Sequence, residues 1–190
     1  MKNLSLFFLF SIMSLIAFAQ NGQSNSIPPV DKSSLDISYY PANYPILKIQ
    51  DKIAEPLVAR VVYSRPQKNG RDVFGGLVEY GQVWRLGANE ASEIEFYKDV
   101  TIGKTKIKKG RYTIYAIPKQ DSWTIIINKD TDTWGSFKYD TKKDIARLDI
   151  KIEHSTEIVE TFSMYFEKRA GGANLIVQWD DVKATIPIGF

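Results

Sequence analysis

From Leu57 to the C-terminus the chain never sustains a four-residue apolar spacing long enough for a helix of ordinary length, and this restriction limits the fold more than any other feature. It carries instead short β-branched or alternating runs broken by turn residues. Leu57–Tyr63 is β-branched and short. Ala91–Tyr97 alternates, with Ile94 and Phe96 on one face and Glu93 and Glu95 on the other. Val100–Ile102 and Thr105–Ile107 flank Gly103-Lys104, a two-residue hairpin turn with Gly first. Arg111–Ile117 and Trp123–Asn128 follow, separated by a turn at Pro118–Asp121. The consecutive Ile125, Ile126 and Ile127 predict burial on both faces. Ile145–Glu153, Thr161–Glu167 and Leu175–Ile188 complete the set. Phe162, Met164 and Phe166 share one face, and Asp180-Asp181 is expected to break the last run in two. Phe74–Val78 and Thr141–Ile145 allow no more than a short helical turn. The pattern predicts an all-β fold: an antiparallel β-sandwich or jelly-roll-like domain with an extended N-terminal arm.

Three segments are expected. Residues 1–19 read as a signal peptide. Lys2 gives a basic start, Leu4–Phe18 is almost wholly apolar, and Ala17-Phe18-Ala19 presents small residues where a peptidase cuts before Gln20. The apolar run is shorter than the ~20 residues of a membrane-spanning helix. Residues 20–56 read as a polar leader followed by an extended arm, with tyrosines set between prolines from Tyr39 to Pro45. Residues 57–190 form the single domain. The expected location is therefore periplasmic or secreted, with nothing embedded in a membrane after cleavage.

Composition excludes several functions. There is no cysteine, which removes thiol catalysis, thiolate metal sites and lipidation at the cleavage site. A domain of this size folds without disulfides. The net charge of +3 falls to +2 once Lys2 is removed, which does not suggest a nucleic-acid partner. No cofactor motif stands in the chain. Asn128, Asp130 and Asp132 alternate like hard-cation ligands, but the glycine and the distal glutamate of a calcium loop are missing, so no metal site is assigned. His154 is the single histidine, in what reads as a solvated strand-end turn, with no serine marked as its partner in a triad.

The densest chemistry lies between Tyr63 and Glu90. Arg85 offers a planar fork of donors for a carboxylate, phosphate or sulfate. Asn89 can donate and accept toward a sugar hydroxyl or amide. Gly87 and Ala88 let a ligand approach the backbone. Arg65 and Arg71 flank the Pro66–Gly70 turn and would add positive charge. The plainer alternative pairs Arg85 with Glu90 across a turn and lets Asn89 satisfy its own loop. Among the tryptophans, Trp123 and Trp179 sit inside strands and read as core, whereas Trp84 and Trp134 lie near glycine-rich loops and are candidates for stacking on sugar rings.

The strings Tyr63-Ser64-Arg65-Pro66, Leu77–Arg85, Gly87-Ala88-Asn89-Glu90, Gly110–Pro118, Trp123–Lys129, and Trp134-Gly135 with Tyr139 together resemble an uncharacterised bacterial family, domain of unknown function 2911. The resemblance covers most of the domain. It implies export by Bacteroidetes-like bacteria and supplies no catalytic residues.

These readings predict a module that binds a small polar or anionic ligand, such as a glycan, through Arg65, Arg71, Trp84, Arg85, Asn89, Glu90 and Trp134. Two alternatives stand beside it. One is a glycan-directed hydrolase with Glu90 as general acid or base, which needs a second carboxylate ~5–9 Å away. The other is a structural envelope protein in which the Trp84–Glu90 segment is architecture. No oligomeric state is implied.

Overall fold

The computed structural model describes residues 29–190. The signal-peptide reading and the first part of the leader lie outside these residues. Nine strands, β1 (Leu35–Tyr40), β2 (Ala59–Ser64), β3 (Glu93–Phe96), β4 (Val100–Ile102), β5 (Thr105–Ile107), β6 (Gly110–Pro118), β7 (Ser122–Asn128), β8 (Asp144–Arg169) and β9 (Gly172–Gly189), form one antiparallel sheet in the order β1-β2-β3-β6-β7-β8-β9-β4-β5. One short helix, α1 (Tyr44–Ile49), and a 3-10 turn at Thr141–Lys143 complete the regular structure. The domain is all-β and sandwich-like, as the strand pattern predicts.

The sheet folds over because β8 is shared between its two halves. Residues Asp144–Lys151 pair with β7, and Ile152–Arg169 pair with β9. The far half of β8 then returns to the continuation of β2. Lys68 N–H donates to Glu160 O at 2.8 Å, Phe162 N–H donates to Pro66 O at 2.9 Å, and Gln67 bridges Thr161. Between the halves lies one core that includes Val61, Ile94, Phe96, Ile114, Ile125, Ile127, Phe162, Met164, Leu175 and Val177. Trp84, Trp123, Phe162, Trp179 and Phe74 gather at one end of it in tilted and edge-to-face contacts. Consecutive isoleucines in β7 are buried on both sides: Ile125 and Ile127 face the main core, while Ile126 packs with Tyr115 and Ala91 beneath Val83 and Tyr139.

Three expectations are revised. The extended arm is itself a sheet element: β1 pairs with β2 from Leu35↔Ser64 to Tyr40↔Ala59, so the sheet starts before Leu57. Tyr44–Ile49 is a helix, although residues 20–56 read as irregular; Pro45 is tolerated there because the first helical turn has no use for its missing N–H. Ile145–Glu153 and Thr161–Glu167 belong to one strand, and Asp180-Asp181 does not split β9. Asp180 instead adopts a left-handed conformation (φ 56°) opposite register shifts around Val159. This is a bulge, which bends a strand without ending its pairing.

Candidate functional site

The Tyr63–Glu90 region does not form one pocket. It is the long connection between β2 and β3, pinned from several sides. Ser64 is buried; its hydroxyl accepts from Ala88 N–H at 2.8 Å and donates to Ala88 O. The hydroxyl of buried Ser92 donates to Leu86 O. Trp84 exchanges backbone bonds with Ala116 of β6 at 2.7 and 3.0 Å. Gly135 N–H donates to Asn89 O at 2.9 Å. Gly87 has φ 143°, and a Cβ there would stand 3.0 Å from Ser64 Oγ and 3.1 Å from Ser64 O, so the loop closes on β2 only with glycine. Segments widely separated in the sequence, Tyr63–Pro66, Trp84–Glu90, Gly110–Pro118 and Trp134-Gly135, thus hold one another.

The candidate residues divide into four groups. Arg71, Trp84 and Arg85 come together around a cavity of about 200 Å³, whose lining also includes Val78, Gly87 and Trp179. No acidic side chain lines it. Arg71 stands at the exposed rim and donates to two carbonyls of its own turn, Lys68 O at 2.9 Å and Gln67 O at 2.6 Å. Arg85 is half-buried. Among the described residues it forms no ion pair, and its Nε is buried without a hydrogen-bond partner. Burial alone pushes its guanidinium pKa down from the ordinary value. The Arg85–Glu90 clasp, the plainer alternative, does not form.

Trp84 is not an open stacking surface. Trp179 covers one face, at 17° and 6.1 Å, and Phe74, Trp123 and Phe162 meet it edge-on. Its indole N–H donates to Gly87 O at 3.3 Å. It contributes an apolar wall to the cavity. Trp123 and Trp179 are core, as their positions inside strands predict.

Arg65 leaves the site altogether. Its Nη1 donates to Asp36 at 2.9 Å, Nη2 to Ser163 Oγ at 3.0 Å and Nε to Phe162 O at 3.2 Å. All three nitrogens are engaged, and the side chain clasps β1 and β8 to the end of β2. Asn89 is a turn residue with φ 58°, and its amide donates to Asp31 at 2.7 Å. Asparagine tolerates that left-handed conformation better than most residues. It does not line the Arg71–Arg85 cavity.

Glu90 and Trp134 lie elsewhere, opposite each other in an antiparallel bridge. Glu90 lines a separate cleft of about 300 Å³ on the outer face of β2, β3 and β6. Glu93 and Glu95 line the same cleft, but each is held by an arginine: Arg111 Nε to Glu93 at 3.1 Å, and Arg60 Nε to Glu95 at 2.7 Å.

The residues of the calcium-like spacing have other uses. Asn128 donates to Asp140 O and Asp144, Asp130 pairs with Lys143, and Asp132 pairs with Arg111. Among the described residues, no three His, Asp or Glu side chains gather as metal ligands, and no helix is long and apolar enough to cross a membrane.

Sequence reasoning gave Ser64 and Ser92 no role in this region and read Trp179 as core without placing it against the loop. A serine inside a β-branched run is the available signal for a buried hydroxyl with a specific partner. Trp179 is distant in sequence and carries no local sign.

The geometry defines an all-β, sandwich-like domain with an acid-free cationic cavity in its longest loop. The sequence profile of the family described as "Protein of unknown function (DUF2911)" matches residues 45–188, and the chain belongs to that family. Comparisons with curated proteins and with solved structures gave no match.

Proposed function

We propose that this protein is an exported binding module that holds a small organic anion, a carboxylate, phosphate or acidic sugar, in the cavity between Arg71 and Arg85. The observation that carries this reading is the unpartnered Arg85. A charged group withdrawn from water without a counter-ion is costly, and proteins ordinarily pair it or leave it in solvent. A bound anion would supply the missing partner, with a fork geometry that matches two oxygens. Val78, Trp84 and Trp179 would pack against its apolar body. Export rests on the Lys2–Ala19 pattern, and a mature chain starting at Gln20 by mass spectrometry would establish it.

The two alternatives have less support. A structural role for Trp84–Glu90 asks for a closed Arg85–Glu90 pair with no adjoining cavity. A hydrolase built on Glu90 asks for a second carboxylate free to act, while Glu93 and Glu95 are both engaged by arginines.

Thermal shift with phosphate, acetate and glucuronate tests the proposal. At least one anion should raise Tm in a concentration-dependent way, since a ligand of the folded state alone stabilises it by mass action. Arg85→Met should abolish the shift while melting no lower than the wild type. No response to any of the three, or an equal response from the variant, would count against the reading.

A further inference from the structure

We propose that the cleft on the outer face of β2, β3 and β6 is a second and separate binding site, taking a non-acidic sugar ring of a glycan with Trp134 as its stacking surface. The alternation of β3 sends Ile94 and Phe96 into the core and Glu93 and Glu95 outward. The neighbouring strands place Arg60 and Arg111 in register with Glu95, and the arginines hold Glu95 and Glu93 in ion pairs. On a flat sheet such a ladder is only a solvated face. Here Leu35 and Asp132-Thr133 join these strands in lining a cleft of about 300 Å³. Each arginine–carboxylate pair sets donors beside acceptors, an arrangement that suits the neighbouring hydroxyls of a sugar. The Glu90 carboxylate has no hydrogen-bond partner among the described residues and remains an open acceptor.

Trp134 supplies the apolar half of the recognition. Trp134 does not itself line the cleft; it follows Thr133, which does, and stands opposite Glu90 in an antiparallel bridge, whose two side chains project to one face. It is 61% exposed, whereas none of the other three tryptophans exceeds 7%. The loop that carries it is held in place, since Gly135 N–H donates to Asn89 O at 2.9 Å and Ser136 Oγ donates to Val83 O at 2.8 Å. An exposed indole on a fixed loop beside a polar cleft offers a flat face to the C–H side of a pyranose. Charge selects the class of sugar. Four carboxylates against two guanidiniums leave the cleft net negative, which disfavours uronates. The Arg71–Arg85 cavity has the opposite bias, so the two sites would not compete for one ligand.

Because Trp134 is the accessible tryptophan, acrylamide quenching of intrinsic fluorescence reads the site directly. Cellotetraose, xylotetraose and N-acetylchitotetraose would be titrated, with tetragalacturonate as the acidic comparator, and affinities measured by calorimetry. At least one neutral oligosaccharide should protect Trp134. Trp134→Ala should weaken its binding at least about tenfold, and Arg85→Met should leave that binding unchanged, which separates this site from the anion cavity. The proposal is overturned if no neutral oligosaccharide binds, if tetragalacturonate binds as tightly, if Trp134→Ala binds like the wild type, or if Arg85→Met abolishes binding.

Discussion

Ser64 has one hydroxyl and uses it twice on the same residue, accepting from Ala88 N–H and donating to Ala88 O. Replacing it with Ala would leave the partly buried Ala88 amide unpaired, which costs about 1 kcal/mol, the low end of the range for a buried group. Urea unfolding of Ser64→Ala should show that loss in the midpoint with an unchanged slope. His154 makes a different kind of contribution. Nδ1 lies 2.7 Å from Asp181 on β9, and Nε2 lies 3.2 Å from Gln120 O in the turn before β7. The hydrogen bond to Asp181, then that to the carbonyl, raise its pKa above the ordinary 6.5. A folded pKa above the unfolded one means that the contribution is fully present below the unfolded value and is lost as pH rises through the folded value. The wild type should therefore lose more Tm than His154→Gln between about pH 5.5 and pH 8.5. Equal losses would show that the contact is inert, the common fate of exposed pairs. Neither role is written in the residues' own neighbourhoods. Ser64 acts on a loop that returns to it only after the Arg65–Gly87 excursion, and His154 reads locally as a solvated turn until β9 brings Asp181 alongside.

Among the elements, the strands were the most legible and their ends the least. Period-two alternation predicts which side of β3 and which side of the Phe162–Phe166 run is buried, because a strand's faces are set by its pleat. The same rule cannot say whether two apolar runs are one strand or two. Ile145–Glu153 and Thr161–Glu167 join into β8 because β9 runs alongside both and resumes its pairing beyond the bulge, with Val159↔Asp180 the one pair between His154 and Ser163. That hairpin depends on its turn. Gly172 has φ 154°, and a Cβ there would sit 2.0 Å from Ile188 O and 3.0 Å from Gly189 Cα. Backbone cannot withdraw as a flexible side chain can, so Gly172→Ala should destabilise the domain by about 3 kcal/mol or more. Thermal unfolding would check this, with Gly171→Ala as the control for strain alone, since nothing lies within 4 Å of a Cβ at Gly171. Helix α1 escaped the sequence reading because six residues, with no buried side chain among them, leave no apolar period to detect.

For the molecule as a whole, the fold class follows from local rules. Short alternating runs with frequent turns cannot bury their apolar faces except against another sheet, so the antiparallel sandwich-like architecture is implied before any contact is known. The candidate site shows where local rules stop. Arg65, Arg71 and Arg85 are close in sequence and equivalent in chemistry, yet Arg65 becomes a clasp between β1 and β8, Arg71 a rim and Arg85 an unpaired charge. Asn89 and Glu90 are consecutive, yet the amide of one donates to Asp31 and the other lines the cleft on β2, β3 and β6. Sequence alone determined the all-β class, the faces of the main strands and the core roles of Trp123 and Trp179. Tertiary structure alone decided which of those residues share a cavity. Arg65 finds its partners on β1 and β8, far along the chain where no local signal reaches, whereas Arg71 takes carbonyls of its own turn and Arg85 finds no partner among the described residues.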